Sequence, residues 1–256
     1  MDRFKLGLKF FAGLGVPVDY AEAMKWFRLA AEQGIVEAQV TLGAIFFEGR
    51  GTPRNYSEAI KCFRLAAKRG ESEAQFPLGA IYEFGKGVTP DYVEAAKWYR
   101  LAAERGHPRA RFHLGNTHRH GRGVPADNTE AVKWFRLAAE QGVPEAMHNL
   151  GFMLQDDLGA PRDDTEALKW FRLPAEQGNA SAQHALGCSH LHGLGVERDE
   201  REAFKWFSAA ADEGLSESQF NLGFMYEEGM GVAKDLAEAL KWHRLAAEQG
   251  ETESFA

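Results

Sequence analysis

Eight of the nine histidines of this 256-residue chain fall between His107 and His192, together with Cys188, one of only two cysteines. Imidazole and thiol groups ligate borderline metals and carry nucleophilic chemistry near neutral pH, so their spacing decides what this stretch could do. His184, Cys188 and His192 follow one another at i, i+4 and i+8. On a helix an i, i+4 pair can share a zinc ion, but eight residues rise about 12 Å, so all three cannot close on one metal. A third ligand would have to come from an adjacent helix, with His148 or Asp156 as the candidates. A thiol between two imidazoles also suggests a nucleophile, yet no oriented third group or set of oxyanion donors accompanies Cys188. The spacing therefore assigns no catalytic residue, no bound metal and no cofactor. Metal-binding or thiol-dependent activity centred on His148, His184, Cys188 and His192 is the alternative function.

These residues sit on a strict repeat. Leu6-Gly7, Leu42-Gly43, Leu78-Gly79, Leu114-Gly115, Leu150-Gly151, Leu186-Gly187 and Leu222-Gly223 recur every 36 residues without insertion or deletion. Trp26, Cys62, Trp98, Trp134, Trp170, Trp206 and Trp242 form a second column in the same phase. A fixed period of this length means stacked supersecondary units that bury a core only against their neighbours. The period leaves no linker, so 1–256 is one elongated domain with repeats at 1–34, 35–70, 71–106, 107–142, 143–178, 179–214 and 215–250, and with 251–256 opening a truncated eighth. The N-terminal stretch keeps the same phase, and Lys5 and Lys9 interrupt its apolar run, so it belongs to the first repeat and is not a secretion signal or a membrane span.

Within one repeat the spacing predicts two helices. Ala38, Leu42, Ile45 and Phe46 recur at helical intervals in helix A, and Gly43 removes a side chain where another helix must come close. Gly49 and Gly51 then turn the chain, with Pro53 soon after. Helix B opens with a capping box in every copy, from Asp19 and Glu22 through Asn55 and Glu58 to Asp235 and Glu238, in which the Glu is expected to reach back to the cap N–H. Its Ala pairs let helices pack closely, and the Trp column fills the remaining space. Glu22 with Lys25, Glu94 with Lys97 and Glu166 with Lys169 form i, i+3 pairs on a face that reads as a solvated back. The fifth repeat departs furthest: Asp157 replaces the first turn glycine, and Pro174 enters helix B, where it either bends the stack or is tolerated. His118 and His190 take the column of Phe46, Tyr82 and Tyr226, as packing rings with a polar edge.

The unit A-x-x-x-L-G-x-x-Y/F-x-x-G-x-G-V-x-x-D-x-x-E-A-x-K-W-F-R-L-A-A-E-Q-G resembles the Sel-1-like repeat, a relative of the tetratricopeptide repeat, in seven copies over nearly the whole chain. That resemblance implies an all-α fold, a right-handed α/α superhelix or solenoid of antiparallel helix pairs, and scaffolding or adaptor roles. It does not extend to the cysteine-rich branch of the family linked to β-lactams, whose paired cysteines this chain lacks.

Columns that differ between the copies are free for a function other than packing. In helix A they lie three before, and one, four and five after, the Leu-Gly glycine, which is one stripe of a helix. In tetratricopeptide-like folds this stripe lines the concave surface. Its candidate partner-binding residues are Phe47, Phe76, Glu83, Phe84, Phe112, Asn116, Arg119, His120, His148, Phe152, His184, Cys188, His192, Phe220, Phe224 and Glu227. Large apolar groups that the shared core does not need suggest a groove for a peptide or helix. A net charge of −7 with no Lys/Arg block excludes the electrostatic footprint of nucleic-acid binding. Two unrelated cysteines suggest a reducing compartment. The expected protein is thus a non-enzymatic, cytoplasmic interaction scaffold for a protein or peptide partner.

Overall fold

The computed structural model describes residues 2–250, and among them every regular element is an α-helix. The A helices are α1 (Arg3–Ala12), α3 (Val36–Glu48), α5 (Ser72–Phe84), α7 (Pro108–His120), α9 (Pro144–Gln155), α11 (Ala180–His192) and α13 (Ser216–Glu228). The B helices are α2 (Tyr20–Glu32), α4 (Tyr56–Ala67), α6 (Tyr92–Glu104), α8 (Asn128–Ala139), α10 (Asp164–Glu176), α12 (Glu200–Asp212) and α14 (Leu236–Glu248). The expected start of an eighth repeat at 251–256 lies outside the described residues. The chain forms two compact halves, one ending at Asp127 and the other beginning at Asn128. In the first, α1 packs on α2, α3 on α4 and α5 on α6, while α2 meets α3, α4 meets α5 and α6 meets α7. In the second, α9–α10, α11–α12 and α13–α14 are the pairs, joined through α8–α9, α10–α11 and α12–α13. Each helix therefore buries its apolar face chiefly against its neighbours along the chain, as a period of one helix pair requires.

The Leu-Gly glycine is where the two helices of a pair touch. A Cβ on Gly43, Gly79 or Gly187 would lie 2.5–2.7 Å from the ring of Phe63, Tyr99 or Phe207 on the following B helix. These rings, with Phe27, Phe135 and Phe171, are 0–2% exposed, so the core ring is the residue after the Trp column. The tryptophans, expected to fill this space, are only half-buried. The tryptophans lie one residue earlier, about 100° round the helix, and so do not face the glycine.

Helix A ends on a left-handed residue in every repeat, usually glycine, as at Gly49 with φ 77°. Asp157 takes that conformation at φ 56°, alone among the described non-glycine residues. The second turn glycine is needed twice over. Gly51, Gly87, Gly195 and Gly231 all have positive φ, and a Cβ on any of them would overlap the first residues of the preceding B helix, at Tyr20, Tyr56, Asp164 and Glu200.

Helix B begins as expected on one count and differently on another. The Asp19, Asn55, Asp91, Asp163, Asp199 and Asp235 side chains each accept from the N–H of the Glu three residues on. The Glu does not complete the box. The cap N–H instead donates back to helix A, from Asp19 to Phe10 at 3.0 Å, Asn55 to Phe46 at 2.8 Å and Asp235 to Tyr226 at 2.9 Å. The hairpin supplies the acceptor first, which releases the Glu for Lys25, Lys61, Lys97, Lys133, Lys205 and Lys241 three residues later.

Successive pairs are braced by side chains that the helical periodicity does not flag. Gln39, Gln75, Gln183 and Gln219 each donate to the carbonyl of Ala31, Ala67, Ala175 and Ala211 in the last turn of the preceding B helix, at 3.1–3.3 Å. Arg111 does the same to Ala103 at 3.2 Å. Each carbonyl already accepts from the N–H of the glycine after its helix, as Ala31 does from Gly34 at 2.9 Å, so the brace adds a second donor at a helix end and joins two repeats at once. Pro174 produces no break, because α10 runs through it to Glu176 and the Gln177 N–H returns to Leu173 and Pro174, both at 3.1 Å. Lying two residues from the helix end, it forfeits one bond to Trp170 and fills a buried alanine site.

Candidate partner-binding site

The variable stripe of helix A is a floor of half-buried side chains with an exposed rim. The columns three before and one after the Leu-Gly glycine are half-buried in the second to seventh repeats, and the column five after it is exposed. Half-burial has a definite cause, since the rings of the floor lie on the core rings of helix B.

In the N-terminal half, Phe47 meets Tyr56 edge-on at 5.5 Å. Phe76 stacks on His107 at 4.5 Å and tilts toward Tyr99 at 5.9 Å. Phe112 packs edge-on against His113 at 5.4 Å, with Asn116 and Arg119 half-buried beyond it. His120 is exposed, and Phe84 keeps 58% of its surface in solvent. Glu83 is tied into the protein. It accepts from the Tyr99 hydroxyl at 2.5 Å and pairs with His113 Nδ1 at 3.2 Å, while the Tyr99 and His113 rings stack at 4.8 Å. Burial pushes the Glu83 carboxyl upward, but the hydrogen bonds from His113 and Tyr99 together outweigh it and hold the group below its ordinary range. Three departures from the repeat, Glu83, Tyr99 and His113, thus answer one another. The signal in the sequence was the hydroxyl on a core ring, which must find an acceptor.

In the C-terminal half, His148 lies edge-on to Phe152 at 4.7 Å, and Phe152 continues to the core ring of Phe171 at 5.1 Å. Phe220 tilts against His243 at 5.2 Å, Phe224 is half-buried and Glu227 is exposed, with one carboxylate oxygen 3.6 Å from His243 Nε2. Of the five residues weighed as ligands, His148, Asp156, His184, Cys188 and His192, the pair His184 and Cys188 comes together. The thiol lies 3.4 Å from His184 Nε2, and His184 Nδ1 lies 2.8 Å from the Ser218 hydroxyl. A neutral imidazole that accepts the thiol proton at Nε2 and donates from Nδ1 satisfies all three groups. Burial lowers the His184 pKa and raises that of Cys188 to about 11, so the pair stays uncharged at neutral pH and no thiolate is poised for attack. His192 is exposed at the end of the helix. Among the described residues no group of three His, Cys, Asp or Glu side chains is placed to hold a metal ion.

A second regularity lies on the B helices. Arg28 sits over the Phe46 ring at 5.8 Å and Arg64 over Tyr82 at 6.0 Å, where it also donates to the phenol oxygen. Arg100 reaches His118 Nε2 at 3.1 Å. His118 is therefore buried as the receiver of an arginine from the preceding repeat, more than an incidental polar edge. In the fifth repeat that column holds Leu154, which offers a cation nothing, and Arg136 turns to Glu166, with one contact at 3.2 Å. Glu166, expected to pair with Lys169, is held by Arg136 and by the Trp170 indole instead.

Comparison with known proteins places this geometry. The Sel1 repeat family model matches seven successive stretches, residues 3–35, 36–71, 72–107, 108–143, 144–179, 180–215 and 216–251. The crystal structure of a protective antigen present in uropathogenic Escherichia coli strains, which displays an SLR fold, aligns with a TM-score of 0.88 at 38% identity over 97% of this chain and 53% of that one. A Sel1 repeat protein from Oxalobacter formigenes aligns with a TM-score of 0.74 at 34% identity, over 98% of this chain and 72% of that one. This chain thus spans about half the length of the E. coli protein. No curated protein matches the sequence. No described helix is long and apolar enough to cross a membrane. With its helix pairs, turn glycines and braces recurring in phase with seven family matches, the chain belongs to the Sel1 repeat family.

Proposed function

We propose that this chain is a non-enzymatic interaction scaffold that takes a protein or peptide partner along the stripe of its A helices. Sel1 repeat proteins mediate protein–protein interactions, and the family is generally non-catalytic. The observation that carries the finer reading is the contrast between repeated and unrepeated positions. Side chains that recur make the contacts that recur, whereas the stripe changes in every copy and stays half-buried or exposed, with Phe84 58% exposed. An apolar floor with a polar rim that differs from repeat to repeat suits an extended ligand read one pocket at a time. The neutral state of Cys188 and His184 supports a binding role over a thiol-dependent one.

The test begins with a partner captured by the tagged chain, identified by mass spectrometry and titrated calorimetrically. Replacing Phe84 and Phe112 by alanine should weaken binding by about tenfold or more, as for a truncated hot spot, with helicity kept. The Lys205→Ala and Lys133→Ala variants on the B helices should bind as the parent does. Unchanged affinity in the phenylalanine variant would remove the stripe as the binding surface.

A further inference from the structure

The Trp column has one break. Six repeats carry tryptophan there, and the second carries Cys62. In the C-terminal half Trp206 lines the groove between α10 and α12, with Leu186 and His190 of α11 beneath, and a cavity of about 380 Å³ remains. The corresponding groove at Cys62 lies between α2 and α4 over Leu42 and Phe46 of α3, and its cavity is about 570 Å³. Its floor is apolar, since Leu42 and Phe46 belong to the core and Leu65 forms a wall. Burial raises the Cys62 thiol to about 11, so the residue presents an uncharged surface.

The acceptor that two of the indoles use is still present in the second repeat. Glu94 accepts the Trp98 indole N–H at 3.0 Å with one carboxylate oxygen while the other holds Lys97 at 3.3 Å. Glu166 accepts from Trp170 at 3.2 Å while Arg136 holds the carboxylate, whereas the indole N–H groups of Trp26, Trp134 and Trp242 find no partner. Glu58 stands four residues before Cys62 as Glu94 stands before Trp98, and its Oε1 holds Lys61 at 2.7 Å. The second repeat therefore keeps the floor, the acceptor and the space of an indole site without the indole.

We infer that the groove at Cys62 binds an indole ring supplied as the tryptophan side chain of a peptide ligand, seated on Leu42 and Phe46 with its N–H donated to Glu58. Arg28 and Lys61 line the groove and are exposed, so both can swing toward solvent as the ring enters, Arg28 leaving the face of Phe46. The surface is distinct from the A-helix stripe and does not depend on it.

N-acetyl-tryptophanamide, a tryptophan side chain with blocked peptide groups, tests this on the intact chain. With few heavy atoms to bury, it should bind with a dissociation constant on the order of 1 mM or tighter. At saturation it should slow alkylation of Cys62, read site by site by mass spectrometry, by about fivefold or more while Cys188 reacts as before. N-acetyl-alaninamide should do neither. The Cys62→Trp substitution should refill the groove from within, abolish the binding and raise the melting temperature by about 2 to 6 °C. An unchanged alkylation rate at saturating N-acetyl-tryptophanamide overturns the proposal, whatever the stability of Cys62→Trp. Protection by free indole without protection by the amide would overturn the side-chain source.

Discussion

Gly79→Ala sets two known effects against each other at one atom. Alanine is better than glycine inside a helix by about 1 kcal/mol. Against this, the new Cβ would lie 2.5 Å from Tyr99 Cδ1 and 2.6 Å from Cε1. Overpacking a close-packed site costs about 1–3 kcal/mol, depending on how far the neighbour can give. Tyr99 can give little, because Glu83 holds its hydroxyl at 2.5 Å and the His113 ring stacks on it at 4.8 Å. The upper end of the range applies, and the net effect is a destabilisation of about 1–2 kcal/mol. The sign should reverse once the ring is gone. Tyr99→Ala alone should cost about 3–5 kcal/mol as a large-to-small core change. In that background Gly79→Ala should stabilise by about 0.5–1 kcal/mol, giving a coupling of roughly 2 kcal/mol between the two sites. Urea midpoints of the four proteins measure the cycle. A midpoint that rises for Gly79→Ala in the unaltered chain, or moves the same way in both backgrounds, would refute close approach as the reason for the Leu-Gly column.

Two further outcomes follow from the same structure. Asp157→Gly should raise the melting temperature, since a non-glycine residue at φ 56° carries a backbone cost of about 1 kcal/mol that glycine does not; a lower melting temperature would mean the Asp side chain holds the turn. For Glu83 the folded pKa is depressed, so its carboxylate contributes stability above the unfolded-state value of about 4.3 that disappears as the pH falls through the folded one. The melting-temperature gap between the parent and Glu83→Gln should be largest above about pH 5 and close below about pH 4, and a gap that stays flat from neutral pH to about pH 3 would sink the assignment.

The positions legible in the sequence were those that local geometry dictates alone. The left-handed ends of the A helices, the Asx caps and the Leu-Gly approach each need one residue type at one place, so repetition exposes them. Contacts chosen from several nearby partners were not legible. The Glu of the presumed capping box goes to lysine because a helix A carbonyl reaches the cap N–H first. The Trp column proved secondary to the ring beside it because the next residue, about 100° further round the helix, is the one that faces the Leu-Gly glycine. In the stripe, periodicity picked out Phe76, Glu83 and Phe152 as positions spared by the repeat, but how deeply they rest on Tyr99 and Phe171 depends on rotamers. The His184–Cys188 contact followed from i, i+4 spacing, whereas the protonation that makes it inert comes from burial, which spacing does not report.

The second turn glycine bears on how the chain is made. Gly51, Gly87, Gly195 and Gly231 each press against the start of a B helix that lies one repeat earlier, whereas Gly15 in the first repeat meets nothing within 4 Å. During synthesis the turn of each of these hairpins therefore closes on a helix start that has already left the ribosome. Three of the short junctions that lead out of the B helices are open by contrast: Gly34 and Gly70 are met by Arg69 and Arg105, but nothing lies within 4 Å of a Cβ placed on Gly142, Gly178 or Gly214. An added loop or grafted module inserted there would leave this vectorial order undisturbed, while the same insertion at a Gly-x-Gly turn would deprive one hairpin of its landing place.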